Sequence, residues 1–163
     1  MQIKLTAIAA VATLGILGGI VSVSSAGQAD SAKGPEQAAT AAAPKGPKLR
    51  LVDSNYGSIL ANGRGRALYL FTADRGKQSN CYGDCATAWP PYIVKSKPVA
   101  GRGVNAGKIG TTRRTDGRLQ ATYAGHPLYY YIRDNEPGEV LCQAVSEFGG
   151  LWYVVRSSGK AVR

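Results

Sequence analysis

Residues 69–91 read YLFTADRGKQSNCYGDCATAWPP, and the reading of the fold starts from them. The stretch holds two of the three cysteines, one of the two tryptophans and a Tyr-x-Phe-x-x-Asp run. Its opening recurs in degenerate form sixty residues later, where residues 129–134 read YYYIRD. Side chains alternate between faces along a strand, so Tyr69 and Phe71 share one face while Leu68 and Leu70 share the other. Neither face is polar, which predicts a strand covered on both sides. Asp74 ends that strand, and the expected role of its carboxylate is to accept backbone N–H bonds in a turn.

On the N-terminal side, residues 58–61 are a short apolar segment and Asn62-Gly63-Arg64-Gly65 is a turn, because Asn-Gly supplies the positive φ values of a hairpin. Residues 66–71 then return. On the C-terminal side comes Cys81-Tyr82-Gly83-Asp84-Cys85. The spacing is neither the Cys-x-x-Cys-His of haem attachment nor the paired Cys-x-x-Cys of a zinc ribbon. In an exported chain the default is a local disulfide, which for so short a loop stabilises by about 2 kcal/mol on the chain-entropy model. Three cysteines permit three single pairings, and a bridge from Cys142 to either partner would close a loop of roughly sixty residues, stabilising by about 4 kcal/mol. The expected scheme is Cys81–Cys85 with Cys142 buried and free; an intermolecular bridge through Cys142 is the other possibility. Trp89 is held extended by Pro90 and Pro91 and is expected to cap the core.

The second copy has the same order. Residues 117–123 read as a strand, Ala124-Gly125-His126 as a turn, and residues 127–132 as the return. Tyr69, Phe71, Asp74 and Trp89 match Tyr129, Tyr131, Asp134 and Trp152. Gly149-Gly150 breaks the chain before a last strand at 151–155, and residues 157–160 form a terminal turn. This is an internal duplication. It predicts an all-β fold, two tandem β-hairpin-based repeats packed as one small antiparallel domain, sandwich or barrel-like. The domain spans 49–163, with repeat one at 49–94, a basic connection at 95–116 and repeat two at 117–160.

The first part of the chain reads differently. Lys4, the uncharged apolar residues 5–23 and the small residues Ser24, Ser25 and Ala26 make residues 1–26 a secretory signal peptide. Its nineteen apolar residues would just span a bilayer, so membrane anchoring follows only if the segment is not cleaved. Residues 27–48 are mostly Ala, Gly, Pro and Lys, and read as a flexible tether. The localisation expected is secreted or cell-envelope.

Taken together, Leu-Tyr-x-aromatic-x-x-Asp twice, Ser79-x-Cys81-x-Gly83-x-Cys85-Ala86, Trp89-Pro90-Pro91, Gly125-x-Pro127-Leu128-Tyr129-Tyr130 and Trp152-Tyr153 resemble the bacterial secreted-repeat lipoproteins with a Tyr-x-(Phe/Trp/Tyr)-x-x-Asp motif. The resemblance covers nearly all of residues 50–160 and implies an exported bacterial β-domain of unknown biochemical role, with no catalytic residue to carry over. Two features depart from it. Members are often lipid-anchored, and this chain has no cysteine near the cleavage site to accept a lipid. Cys142 stands where the family tends towards small, glycine-type residues.

The net charge is +10, and +9 once residues 1–26 are removed, since Lys4 is the one charged residue lost. Such a charge favours anionic partners, a cell-wall polymer or a membrane surface. Lys95, Lys97, Arg102, Lys108, Arg113, Arg114 and Arg118 face one acid, Asp116, across residues 95–118, and form either a solvated inter-repeat loop or a patch for an anionic polymer. No aromatic residue is interleaved there, which argues against specific nucleic acid binding. Nothing reads as a hydrolase: Gly-x-Ser-x-Gly is absent and the single histidine, His126, lies in a turn. Asp74 and Asp134 facing each other as a matched pair, and Tyr69, Tyr129 and Tyr131 lining a pocket, are the functional alternatives, although strand ends and aromatic core are sufficient roles for them. The reading is a non-enzymatic binding or scaffolding domain with no cofactor. The alternative is an envelope copper-binding or thiol-redox protein using Cys81, Cys85 and His126, a set suited to copper or zinc. That set resembles the ligands of exported copper chaperones, without their thioredoxin-like βαβ pattern.

Overall fold

The computed structural model describes residues 46–163. The signal-peptide reading and nearly all of the tether reading lie outside the described residues. The elements in order are β1 (Lys48–Ser54), β2 (Gly57–Asn62), β3 (Tyr69–Phe71), α1 (Asp84–Ala88), β4 (Val99–Ala100), a 3-10 turn (Ala106–Lys108), β5 (Ile109–Arg113), β6 (Leu119–Tyr123), β7 (His126–Pro127), β8 (Val145–Glu147) and β9 (Gly150–Val154). They form three three-stranded sheets, ordered β2-β1-β4, β3-β9-β8 and β5-β6-β7. Pairings are antiparallel except β1 with β4. The fold is all-β, and its sheets stay open instead of closing into a barrel.

Both expected turns form, but in the first the positive φ falls on Gly65 (96°) and not on the Asn62-Gly63 pair expected to supply it. Asn62 Oδ1 accepts from the amides of Arg64 (2.9 Å) and Arg66 (3.1 Å), which holds the first. The second places Ala124 (φ 49°) and Gly125 (φ 85°) in the left-handed region, the pattern a two-residue hairpin turn needs.

The return arms do more than complete their own hairpins. After Leu68 donates to Leu60 O (2.9 Å), β3 leaves to pair with β9 of the other repeat. After Leu128 donates to Ala121 O (3.0 Å), Tyr129 crosses to Tyr69. Those two equivalent tyrosines exchange both backbone bonds, Tyr69 N to Tyr129 O at 2.9 Å and Tyr129 N to Tyr69 O at 3.0 Å, which marks a local two-fold axis between the repeats. The segments after the tryptophans are exchanged as well. Leu60 N donates to Val155 O (2.7 Å), and its counterpart Ala121 N donates to Tyr92 O (2.9 Å). Each repeat therefore completes the hairpin of the other.

The core divides along the alternation of the strand. Leu68 and Leu70 pack with Leu49, Leu60, Tyr123, Leu128 and Val155 on one side. Tyr69 and Phe71 pack with Ile59, Trp89, Tyr129, Trp152 and Val154 on the other. All three residues of β3 are buried, as two apolar faces require.

Residues 95–116 correct the reading of that run as a loop. They hold β4, the 3-10 turn and β5, whose Ile109 is buried in the core and whose whole length pairs with β6. The basic residues obscured an edge strand in which Ile109 and the branched Thr111 and Thr112 fit a pleated surface. The pattern also missed β8, a three-residue arm joined to β9 through Phe148 and Gly149.

Candidate functional site

The duplicated motif forms a reciprocal clasp. Tyr69 Oη donates to Asp134 Oδ2 at 2.5 Å, and Tyr129 Oη donates to Asp74 at 2.9 Å (Oδ2) and 3.1 Å (Oδ1). Each repeat's tyrosine is thus bound by the other's aspartate. Asp74 also accepts the Asn80 amide (2.8 Å), and Asp134 the Leu141 amide (3.0 Å), so each carboxylate has the expected turn role too. Burial raises both phenols above the ordinary tyrosine range. Burial also raises Asp134, and lifts Asp74 to about 6 against the pull of its hydrogen bonds.

The remaining motif residues form one stack. Trp89 and Trp152 lie parallel at 4.1 Å; Phe71 stacks on Trp152 at 4.1 Å and Tyr131 tilts against Trp89 at 4.8 Å. Each tryptophan thus covers the other repeat's aromatic residue, while meeting its own repeat's tyrosine edge-on at 5.2 Å. Glu147 joins the pair: its carboxylate accepts Trp89 Nε1 (2.8 Å) and its carbonyl accepts Trp152 Nε1 (3.3 Å). Tyr69 and Tyr129 are fully buried with their hydroxyls on the opposite aspartates, and Tyr131 packs against Trp89.

Cys81 and Cys85 are disulfide-bonded, with Cα atoms 5.2 Å apart and Gly83 between them at φ 55°. Cys142 is free but half-buried, where it was expected to be buried. His126 is half-buried at the start of β7. Among the described residues no three His, Cys, Asp or Glu side chains are grouped to hold a metal, so Cys81, Cys85 and His126 are not brought together.

The basic run is also redistributed. Lys95, Lys97, Arg102 and Arg113 are exposed. Lys108 donates to Ser158 O (2.6 Å) and Arg118 is paired with Asp116 (2.7 Å). Arg114 leaves the surface altogether at 3% exposure. Its Nη1 donates to Ser79 Oγ (2.7 Å) and Gln120 Oε1 (2.8 Å), and its Nη2 to Cys81 O (2.7 Å). The one hydroxyl proton of Tyr129 goes to Asp74, so Ser79 Oγ donates to Tyr129 Oη (2.7 Å), and this buried cation ties the disulfide loop to the clasp. Arg114 is therefore no part of a surface patch.

A different basic site emerges. A cleft of ≈ 700 Å³ opens beside Asp74, with Leu70, Phe71, Thr72 and Ala161 along its floor and sides. His126 enters from the turn of the second hairpin, and Arg156, Lys160 and Arg163 from the end of the chain. Of these three cations the sequence reading placed only Lys160, in the terminal turn, and gave Arg156 and Arg163 no part. Their signal was the cluster Arg156, Lys160, Arg163 itself, but nothing local placed it beside His126 and Asp74.

The fold and its clasp thus define a tandem-repeat β-domain whose two copies complete each other. The chain belongs to the family described as secreted repeat of unknown function, whose model matches residues 50–92 and 110–156, more than half of the chain. The second match begins at β5, in agreement with the strand found there. Searches of curated proteins and of solved structures returned no match.

Proposed function

We propose that this secreted protein is a non-enzymatic binding module of the cell envelope, and that the cleft beside Asp74 takes an anionic group of a wall polymer. The observation that supports the reading is the convergence of Arg156, Lys160, Arg163 and His126 on one concave surface. A concave site in which three cations, Arg156, Lys160 and Arg163, outnumber the one carboxylate, Asp74, concentrates negative charge and shields it partly from solvent. The motif residues carry the fold, which leaves the cleft as the place where chemistry of the surface is concentrated. A membrane surface is the other anionic partner, and separates from a polymer by the probe used.

Titration calorimetry with poly(glycerol phosphate) tests this. Wild-type protein should bind, and Arg156→Ala/Lys160→Ala should bind at least tenfold more weakly, about 1.4 kcal/mol. Asp74→Asn should bind more tightly, because a carboxylate leaves the cleft. Unchanged affinity in the double variant would place the polymer elsewhere, and preference for anionic vesicles would point to the membrane. The copper or thiol-redox alternative needs Cys81 and Cys85 as thiolates. Non-reduced native mass spectrometry with and without copper addresses it: a stoichiometric metal adduct with three free thiols would replace the binding-module reading.

A further inference from the structure

The local two-fold axis has a consequence on the opposite side of the clasp. The cleft above is built from the aspartate of repeat one and the hairpin turn of repeat two. The counterpart position, the aspartate of repeat two with the turn of repeat one, is also concave: a cavity of ≈ 290 Å³ lined by Asn62, Arg64, Arg66, Tyr130, Asp134 and Asn135, with Pro137. Arg66 lies three residues before Tyr69, as His126 lies three before Tyr129, so each site takes one nitrogen-bearing side chain from the same place in the repeat.

We infer that this cavity is a second anion site, taking a single carboxylate or phosphate group on Arg64 and Arg66. The Arg66 guanidinium is already oriented. Its Nη2 donates to Tyr131 O (2.5 Å), and its carbon lies 4.7 Å from the centre of the Tyr130 ring. That ring is held in turn by Asn62 Nδ2, which donates to Tyr130 Oη at 3.1 Å. A guanidinium fixed in this way loses less freedom on binding a planar or tetrahedral anion than a free one. Arg66 Nε is buried and without a hydrogen-bond partner among the described residues, so contact with an anion falls to the nitrogens at the open end of the guanidinium. Arg64, from the exposed turn, supplies the second charge. Asp134 also lines the cavity and its charge acts on Arg66, but it is fully buried with its oxygens taken by Tyr69 and Leu141, so the two arginines outnumber the one carboxyl group there. The volume suits one small group and not a chain of sugars. With the larger cleft the molecule holds two unequal anion sites, one on each side of the axis, and so links two anionic strands; only this last step rests on the function proposed above.

The test is a titration of ¹⁵N-labelled protein with inorganic phosphate, followed by amide and side-chain shifts in two-dimensional NMR. Two separate groups of signals should move, one at Asn62, Arg64 and Arg66 and one around Lys160 and Ala161. Arg64→Ala, in an exposed turn, should keep a dispersed spectrum and lose the first group alone; Arg156→Ala/Lys160→Ala should lose the second alone. Shifts confined to Lys160 and Ala161 would overturn the second site and leave the cleft standing. Shifts confined to Asn62, Arg64 and Arg66 would do the reverse, and weak shifts spread over the basic surface would remove both. With poly(glycerol phosphate), light scattering should rise for the wild type and stay flat for either variant; scattering undiminished in Arg64→Ala would overturn the link between strands.

Discussion

Asp74 stands at the meeting of the clasp and the cleft, and its titration should be visible in stability. In the folded chain burial lifts its carboxyl to about 6, from an ordinary value of 3.8. Between those values the folded protein holds a proton that the unfolded chain has released. Stability therefore falls as pH rises through that window and is highest at its acid side. Asp134 is raised by burial too and adds in the same direction. The thermal midpoint should drop across the window in wild type and drop less in Asp74→Asn, whose amide oxygen still accepts from Tyr129 and Asn80. An equally steep profile in the variant would move the effect away from Asp74. The two phenols are not equivalent either. Tyr69→Phe leaves a fully buried carboxyl short of a donor and should cost about 1–3 kcal/mol in urea unfolding. Tyr129→Phe should cost less, because Asp74 is only half-buried and water can replace the phenol. The opposite order would contradict the burial assigned to the two aspartates.

Among the elements, the disulfide loop and the aromatic stack carry different shares. The loop closed by Cys81 and Cys85 is short, so replacing both with serine should lower stability by only about 2 kcal/mol and leave the near-ultraviolet dichroism of the stacked tryptophans in place. Loss of that signal would mean that the loop, through Cys81 O and Arg114, organises the clasp as well as bracing it. Arg114 illustrates how an element hides in composition. By residue type it belongs to a solvated basic run. Its burial follows from β5 ending beside the disulfide loop, where Ser79, Gln120 and the Cys81 carbonyl supply acceptors for it. A buried guanidinium is tolerated only with such partners.

For the molecule as a whole, interlocking predicts mutual dependence. A fragment of residues 46–104 or one of residues 105–163 lacks the exchanged strand and the facing tryptophan, so neither should show cooperative unfolding as a monomer. An equimolar mixture should recover the dichroism of the tryptophan stack. A half that folds alone as a monomer would show that the exchange is dispensable. Much of this architecture was legible in the sequence. The duplicated motif, the place of the two turns, the doubly buried strand and the local cysteine pair follow from residue types at fixed spacing, because alternation, glycine-containing turns and short-range loop closure are local physics. The family's secreted character was legible for the same reason. What tertiary structure alone decided is which partner each motif residue takes. Tyr69 binds Asp134 and not Asp74, Trp89 faces Trp152, Arg114 turns inward, and His126 joins Arg156 and Lys160 at the cleft. The tyrosine–aspartate and tryptophan pairings join residues as much as 65 positions apart across a two-fold axis. No local pattern encodes them, since an aspartate at a strand end satisfies the same spacing whichever tyrosine it binds, and only packing of the two repeats against a shared core selects one.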